Sequence, residues 1–255
     1  MGIRSAAFRT RDLAIALLLT ATPAFAAQGV NLAWNHCLGE GTGVQNAVFA
    51  CDTNSGQHTL VGSFVLGADM PSVSGMEIMV DLVAAAASLP AWWDYRNPGT
   101  CRQSSLTANF ASDPANVVCA DWSGGLAIGG IGAYCTGACT NAPHAARIKM
   151  VEAVPQQNLR QLTAGTEYFS WNVVIDHQKT VGTDSCSGCS IPVCIVFNSL
   201  NVTQSVGVGD RFISGGTGPG TDFATWQGGA VGGSGCPAAT STRRSTWGSV
   251  KSLYQ

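Results

Sequence analysis

Charge is what this sequence has least of: only 11% of its 255 residues are Asp, Glu, Lys or Arg, against about 25% in an average soluble domain. Lys and Arg together number 13, too few for a basic face that neutralises a nucleic-acid backbone, so no nucleic-acid partner is expected. Glutamate occurs at only Glu40, Glu77, Glu152 and Glu167, which leaves few carboxylate pairs for acid–base work. Long apolar runs are missing as well. Leu13 to Thr22 is shorter than the about 20 residues a membrane helix needs, and Met76 to Leu89 is broken by Glu77 and Asp81. No transmembrane segment is therefore expected. Helical periodicity is thin: Val83 to Ser88 is Ala-rich but meets Pro90, and only the tail, Thr246 to Tyr254, spaces Trp247, Val250 and Tyr254 in a helical manner. The phosphate loop Gly-x4-Gly-Lys-Ser/Thr, the zinc motif HExxH and a Gly-x-Ser-x-Gly elbow are absent. No cofactor is expected.

Two residue types are abundant, Gly with 31 copies and Cys with 10. Together with low charge they fit an exported protein better than a cytosolic enzyme. The N-terminus agrees. Arg4, Arg9 and Arg11 form a positive region, an apolar stretch follows, and Ala24-Phe25-Ala26 supplies the small-x-small pattern of a signal-peptidase site. Residues 1–26 are expected to be a signal peptide cleaved after Ala26, with the mature protein secreted or held at the cell surface. Without Arg4, Arg9, Arg11 and Asp12 the remaining chain has 10 basic and 14 acidic residues, a net −4.

All ten cysteines, Cys37, Cys51, Cys101, Cys119, Cys135, Cys139, Cys186, Cys189, Cys194 and Cys236, follow that site, and export favours their oxidation to disulfides. Local pairing is expected: Cys37 with Cys51, Cys101 with Cys119, Cys135 with Cys139, and, as one choice among three, Cys186 with Cys189 and Cys194 with Cys236. The run Cys186-Ser-Gly-Cys189-Ser-Ile-Pro-Val-Cys194 also admits a zinc site completed by Cys236 or His177, or a redox pair. A redox pair wants its first thiolate at a helix N-terminus, whereas this run leads into the strand-like Ile195-Val196-Phe197. Structural disulfides are the preferred reading, with no metal.

Short β-type runs recur along the chain: Val30 to Trp34, Ala47 to Cys51, Thr59 to Leu66, Gly75 to Val83, Val117 to Trp122, Ala146 to Ala153, Tyr168 to His177, Cys194 to Thr203 and Phe223 to Trp226. Several alternate with period two. Phe169, Trp171, Val173, Ile175 and His177 make one apolar face, and Ile148 and Met150 oppose Arg147, Lys149 and Val151. Turn clusters separate the runs at Asp52 to Gly56, Asn97-Pro-Gly99, Ser112-Asp-Pro114 and Asn141-Ala-Pro143. Gly207 to Gly220 and Gly228 to Gly235 read as flexible loop. The expected fold is all-β, an antiparallel sandwich of jelly-roll or immunoglobulin-like type, stapled by disulfides. One domain would cover residues 27–236, and residues 237–255 would form a tail that docks or serves as a sorting signal.

Candidate chemistry is sparse. His36, His58, His144 and His177 fall into no metal-ligand spacing, and distant Ser/His/Asp combinations carry no information. Glu77 and Glu152 lie in expected strands and are the available pair for a glycoside-hydrolase-like enzyme. Asp52-x-Asn54-x-Gly56 begins like a calcium loop but lacks the closing acid, so an Asx-type turn is preferred. The aromatic cluster Trp92-Trp93-Asp94-Tyr95 offers rings that stack on sugars if they are exposed; alternation along a strand would instead send at least one indole into the core. Trp34, Trp122, Trp171 and Trp226 are expected core residues.

Four segments, Val48-Phe-Ala-Cys-Asp-Thr-Asn-Ser-Gly56, Leu89-Pro-Ala-Trp-Trp93, Cys186 to Asn198 and Thr246-Trp-Gly-Ser-Val-Lys-Ser-Leu-Tyr254, resemble a group of uncharacterised secreted proteins of environmental bacteria. The group brings no activity with it. The run Ser74-Gly-Met-Glu-Ile-Met-Val-Asp-Leu82 leading to Leu89 also faintly resembles the cohesin and carbohydrate-module class of sandwich. The expectation is a non-catalytic structural or adhesive protein of the bacterial exterior, with a polysaccharide or a surface protein as partner. A carbohydrate-binding module using Trp92, Trp93, Asp94 and Tyr95 is the alternative, and a secreted glycoside hydrolase the second.

Overall fold

The computed structural model describes residues 28–113, 119–137, 139–140, 142–215 and 221–228. Thirteen strands appear among them: β1 (Gly29–Trp34), β2 (Asn46–Ala47), β3 (Gln57–Val65), β4 (Met70–Ala84), β5 (Leu106–Asn109), β6 (Ala120–Asp121), β7 (Ile128–Gly137), β8 (Ala142–Ala153), β9 (Arg160–Leu162), β10 (Glu167–Asp176), β11 (Val193–Gln204), β12 (Arg211–Ser214) and β13 (Phe223–Trp226). One sheet has the order β1-β3-β10-β5, with β6 alongside β10. The other runs β2-β13-β11-β4-β8-β7, with β12 on β11 and β9 on β4. The two sheets pack as an all-β sandwich around a single large apolar core to which both contribute. No described residue is in an α-helix. The Ala-rich run after Val83 ends as strand at Ala84, and Ala85 then donates to the Pro192 carbonyl rather than starting a helix. The signal segment and the C-terminal tail lie outside the described residues.

Alternation produces the sandwich where it is regular. Along β8, Ile148 and Met150 are buried while Lys149 and Val151 are exposed. β10 departs from it, and the apolar face read from the sequence needs one correction. A bulge between Phe169 and Trp171 moves Phe169 out of register, so it packs with Cys37 and Val61 in a small separate cluster. Tyr168 takes its place in the main core with Trp171, Val173 and Ile175. Trp171 needs room across the ladder, and Gly62 opposite gives it: a Cβ there would sit 2.2 Å from the indole Cε2.

Ala47 to Cys51 is shorter as a strand than expected. After Ala47 the Gln227 side chain replaces the ladder, accepting from the Phe49 amide at 3.0 Å and donating to its carbonyl at 2.8 Å. The glycine-rich stretch after Val202 is not wholly loop, because Arg211–Ser214 pairs with β11 and buries Ile213. Glu77 lies on the outer side of the second sheet; on the same side of β4, Asp81 links neighbouring strands, its carboxylate gripped by Arg147 with two bonds of 2.6 and 2.7 Å and accepting from Asn198 as well.

The disulfides differ from local pairing. Cys37 joins Cys119, Cys51 joins Cys189, and Cys101 joins Cys186, across 82, 138 and 85 residues. The expected pairs Cys37–Cys51, Cys101–Cys119 and Cys186–Cys189 are therefore replaced, because the sheets set loops that are distant in sequence side by side, with the bridged Cα atoms 5.9 to 6.2 Å apart. Cys135 and Cys139 are joined across the β7–β8 turn. Cys194 is also disulfide-bonded; Cys236 lies outside the described residues. With Cys186 and Cys189 oxidised, that run has no thiolate cluster for zinc.

Candidate functional site

One end of the sandwich collects most of the residues with chemistry. The 3-10 turn Ala91–Trp93 lies there, held by a bond from the Trp92 amide to the Ser187 carbonyl at 2.9 Å. A strand would have sent consecutive indoles to opposite sides; a 3-10 turn rotates them by about 120°, and both enter the core. Trp92, Trp93 and Tyr95 have no exposed surface. The exposed sugar platform expected from Trp92-Trp93-Asp94-Tyr95 is thus corrected: the three rings are interior and only Asp94 is partly accessible. Trp34, Trp122, Trp171 and Trp226 are core residues as well.

Around the turn, Trp226 lies 5.0 Å from Trp92 and 5.4 Å from Trp93, ring centre to ring centre. Its indole N–H donates to the Cys189 carbonyl at 2.7 Å, which couples the cluster to the Cys51–Cys189 bridge. Gly188, between the two bridged cysteines, has φ +116° and its Cβ position would lie 2.2 Å from Pro90. Only glycine meets both conditions.

Arg102 is the unexpected member. Its guanidinium is buried and stacks 3.5 Å over the Trp92 ring. It donates to the Trp92 carbonyl at 2.9 Å, the Gln178 carbonyl at 3.0 Å, the Tyr95 hydroxyl at 3.2 Å and the Asp176 carbonyl, with the Asp176 carboxylate 3.6 Å away. Burial pushes its pKa down and that of Tyr95 up. A buried cation satisfied by three backbone carbonyls orders loops rather than binding a ligand. Nothing in a lone Arg within a loop distinguishes this role in the sequence.

Two histidines complete the end. His58 stands opposite Ile175 in the β3–β10 ladder, and His177 follows two residues later, its amide bonded to the Gly56 carbonyl at 3.1 Å. Both side chains therefore lie on the core face of the first sheet, as diagonal cross-strand neighbours, with ring centres 4.8 Å apart. Phe49 covers His58 at 3.8 Å, and Trp226 touches both rings. His177 is 3% exposed, and neither of its ring nitrogens has a hydrogen-bond partner. Burial, then the neighbouring His177, lower the His58 pKa to about 4; burial, then Arg102, lower that of His177. The apolar alternation of β10 already placed His177 inward, but nothing linked it to His58.

The carboxylates Glu77 and Glu152 do not form a catalytic pair. Met76 faces Glu152 and Glu77 faces Val151 in the β4–β8 ladder, so alternation sends the two glutamates to opposite sides of the sheet. Glu152 is buried between the sheets, accepting from Trp122 Nε1 at 3.0 Å and Ser170 Oγ at 2.7 Å. Desolvation raises its pKa to about 8 against those two bonds. The loop Asp52 to Gly56 is not a calcium loop either, nor a simple Asx turn: Asn54 Oδ1 accepts from the amides of Thr180 and Val181 at 2.8 and 2.9 Å, clamping a distant loop. Among the described residues one further donor cluster stands out, Cys37, Glu40 and Cys119, but its two sulfurs are bonded to each other.

No protein-family model matches the chain, and neither the curated proteins nor the solved structures contain a match to it.

Proposed function

We propose that this is a non-catalytic structural or adhesive protein of an oxidising exterior. The observation that carries the reading is the covalent frame: three bridges spanning 82, 138 and 85 residues join loops of both sheets. Such bridges persist in oxidising compartments and are rare in reducing ones. Inward placement of Trp92, Trp93 and Tyr95, and the separation of Glu77 from Glu152, turn the conspicuous side chains into supports of that frame.

A polysaccharide-binding reading draws on a different place. A shallow groove of about 470 Å³ at one end of the second sheet is lined by Ser74, Glu77, Gln156, Thr203 and Gln204 among others, a set of hydroxyl, amide and carboxylate groups suited to sugar hydroxyls. The test uses the oxidised chain, residues 27–255, with a panel of soluble polysaccharides, recording heat of binding and release of reducing ends. The structural reading expects neither signal, together with resistance to trypsin that dithiothreitol abolishes. Saturable heat lost in Glu77→Ala and Gln204→Ala would replace it with the groove binder. Turnover lost in Glu152→Gln or Glu77→Gln would make the protein an enzyme.

A further inference from the structure

The edge of the second sheet at β7 lacks the features that usually guard one. Edge strands are blunted by charged side chains, proline or a covering segment. β7 reads Ile128-Gly-Gly-Ile-Gly-Ala-Tyr-Cys-Thr-Gly137, with no charge and no proline, and Leu126-Ala127 before it adds none. Among the described residues the other edges are occupied or short. On β1 the Leu32 amide donates to the Thr221 carbonyl and the Trp34 amide to the Val44 carbonyl, both at 2.8 Å. The strands β2, β5, β6, β9 and β12 have two to four residues each.

Within β7 the first part is the open one. Arg96 donates to the Leu106 carbonyl at 3.5 Å and to the Ile131 carbonyl at 3.4 Å, which ties β7 to β5 at that point, and Tyr134 beyond it is buried. Upstream, Leu126, Ile128 and Gly129 are exposed, Ile128 at 77%, while Ala127 and Ile131 pack against the core. Alternation thus sends Leu126, Ile128 and Gly130 to the outer face. Val151 of β8 stands opposite Gly130 there and is 52% exposed. Gly130 has no internal reason to be glycine. Its φ is not left-handed and nothing lies within 4 Å of its Cβ position, whereas a Cβ at Gly129 would meet the Val151 carbonyl at 2.3 Å. A strand glycine without an internal cause marks the close approach of another backbone.

We propose that β7 pairs with β7 of a second copy of this chain, antiparallel and centred on Ile128. A strand paired antiparallel with itself obeys a two-fold axis, so one surface serves both copies. In that register Ile128 meets its own counterpart, and Leu126 of each copy lies over Gly130 of the other, in the space that the missing side chain leaves. The Ile131 carbonyl, reached by Arg96 from outside the sheet, faces away from β8. By alternation Gly129 and Ala127 face the same way, so each Ala127 exchanges backbone bonds with Gly129 of the other copy. Ile128 is then a non-hydrogen-bonded pair, the closer kind, with Cα atoms about 4.5 Å apart. Charge permits the contact. β7 brings none, and Arg147 is engaged with Asp81. Lys149, exposed on β8, lies three strand spacings from its counterpart, about 14 Å against a screening length of about 8 Å at physiological salt.

A contact of this size belongs to the weak, reversible class. Sedimentation velocity of the oxidised chain, residues 27–255, should therefore show monomer passing to dimer as concentration rises from micromolar towards millimolar. Ile128→Lys and Ile128→Glu should each weaken the dimer by about tenfold or more, since each removes an apolar pair and sets like charges in direct opposition. Mixed in equal amounts, the two variants should dimerise again. Gly130→Val, whose Cβ has free space within its own chain, should weaken the dimer by displacing Leu126 of the other copy. Val206→Lys, at an exposed valine on the turn after β11, should leave it unchanged. Near-ultraviolet circular dichroism at low concentration shows that each variant keeps the fold before association is read. A chain that stays monomeric at every concentration would overturn the pairing, as would a dimer that Ile128→Lys leaves intact. Failure of the Lys and Glu variants to rescue each other would overturn the register centred on Ile128.

Discussion

Three titratable side chains, Glu152 and His177 buried and His58 half-buried, pull stability in opposite directions with pH. Glu152 has its pKa raised from 4.5 to about 8, so between those values the folded protein holds a proton that the unfolded chain has released. Folding stability then falls as pH rises, by about 1.4 kcal/mol per unit for one proton. His58 is shifted the other way, from 6.5 to about 4, and His177 is lowered too. Below pH 6.5 the unfolded chain protonates both while the folded protein does not, so stability rises with pH there. Between pH 4.5 and 6.5 the rise from His58 offsets the fall from Glu152 and His177 adds to the rise, and above 6.5 Glu152 acts alone. The protein should therefore be most stable near pH 6.5, losing about 2 kcal/mol by pH 8. Urea denaturation across this range measures it. Glu152→Gln should flatten the alkaline side, because Gln can accept from Trp122 and donate to the Ser170 hydroxyl without titrating. His58→Phe should reduce the acid side. An alkaline slope unchanged in Glu152→Gln would show that the buried carboxyl is not its source.

At the level of strands, β10 shows how far the pattern in the sequence reaches. Its apolar alternation revealed a half-buried strand and the inward side of Trp171, Val173, Ile175 and His177. The bulge at Ser170 was hidden, because an inserted residue depends on the partner strand and not on local preference. β7 was missed for another reason: Ile128-Gly-Gly-Ile-Gly-Ala-Tyr-Cys is an edge strand with most of its residues accessible, so it needs little apolar patterning. The Trp92-Trp93 turn was legible as a cluster but not in its direction, since a strand and a 3-10 turn orient neighbours differently. Gly62 ties these observations to a measurable energy. Its missing side chain is the space that the Trp171 indole fills once the bulge has set the register. Gly62→Ala should cost about 1 to 3 kcal/mol through overpacking, whereas Gly56→Ala, whose strain is a matter of φ alone because nothing lies within 4 Å of its Cβ position, should leave the Trp171 environment unchanged. Near-ultraviolet circular dichroism with denaturant midpoints separates the two, and an unaltered Trp171 signal in Gly62→Ala would contradict the packing account.

Across the whole molecule, the two sheets supply the core, but the loops that hold the aromatic end together contain little regular structure. Cys186 and Cys189, three residues apart in sequence, reach Cys101 and Cys51 on two different loops, so one short segment fixes both against the Trp92 turn. Sequence spacing invited local bridges because it carries no information about which loops share an end of the sandwich. The distinction has energetic consequences. In the chain-entropy limit a bridge closing 138 residues stabilises by about 5 kcal/mol, and one closing only the four-residue separation of Cys135 and Cys139 by about 2. Paired replacement of Cys51 and Cys189 by Ser should therefore lower the guanidinium midpoint more than paired replacement of Cys135 and Cys139. It should also redden and broaden the emission of Trp226, whose indole N–H is bonded to the Cys189 carbonyl, while the Cys135 and Cys139 variant leaves that emission alone. Equal losses in the two variants would mean that the sheets hold this end without the bridges. A larger loss confined to the Cys51 and Cys189 variant would mean that the aromatic cluster, its buried Arg102 and the histidine pair are ordered by a covalent clasp that the two sheets alone do not replace.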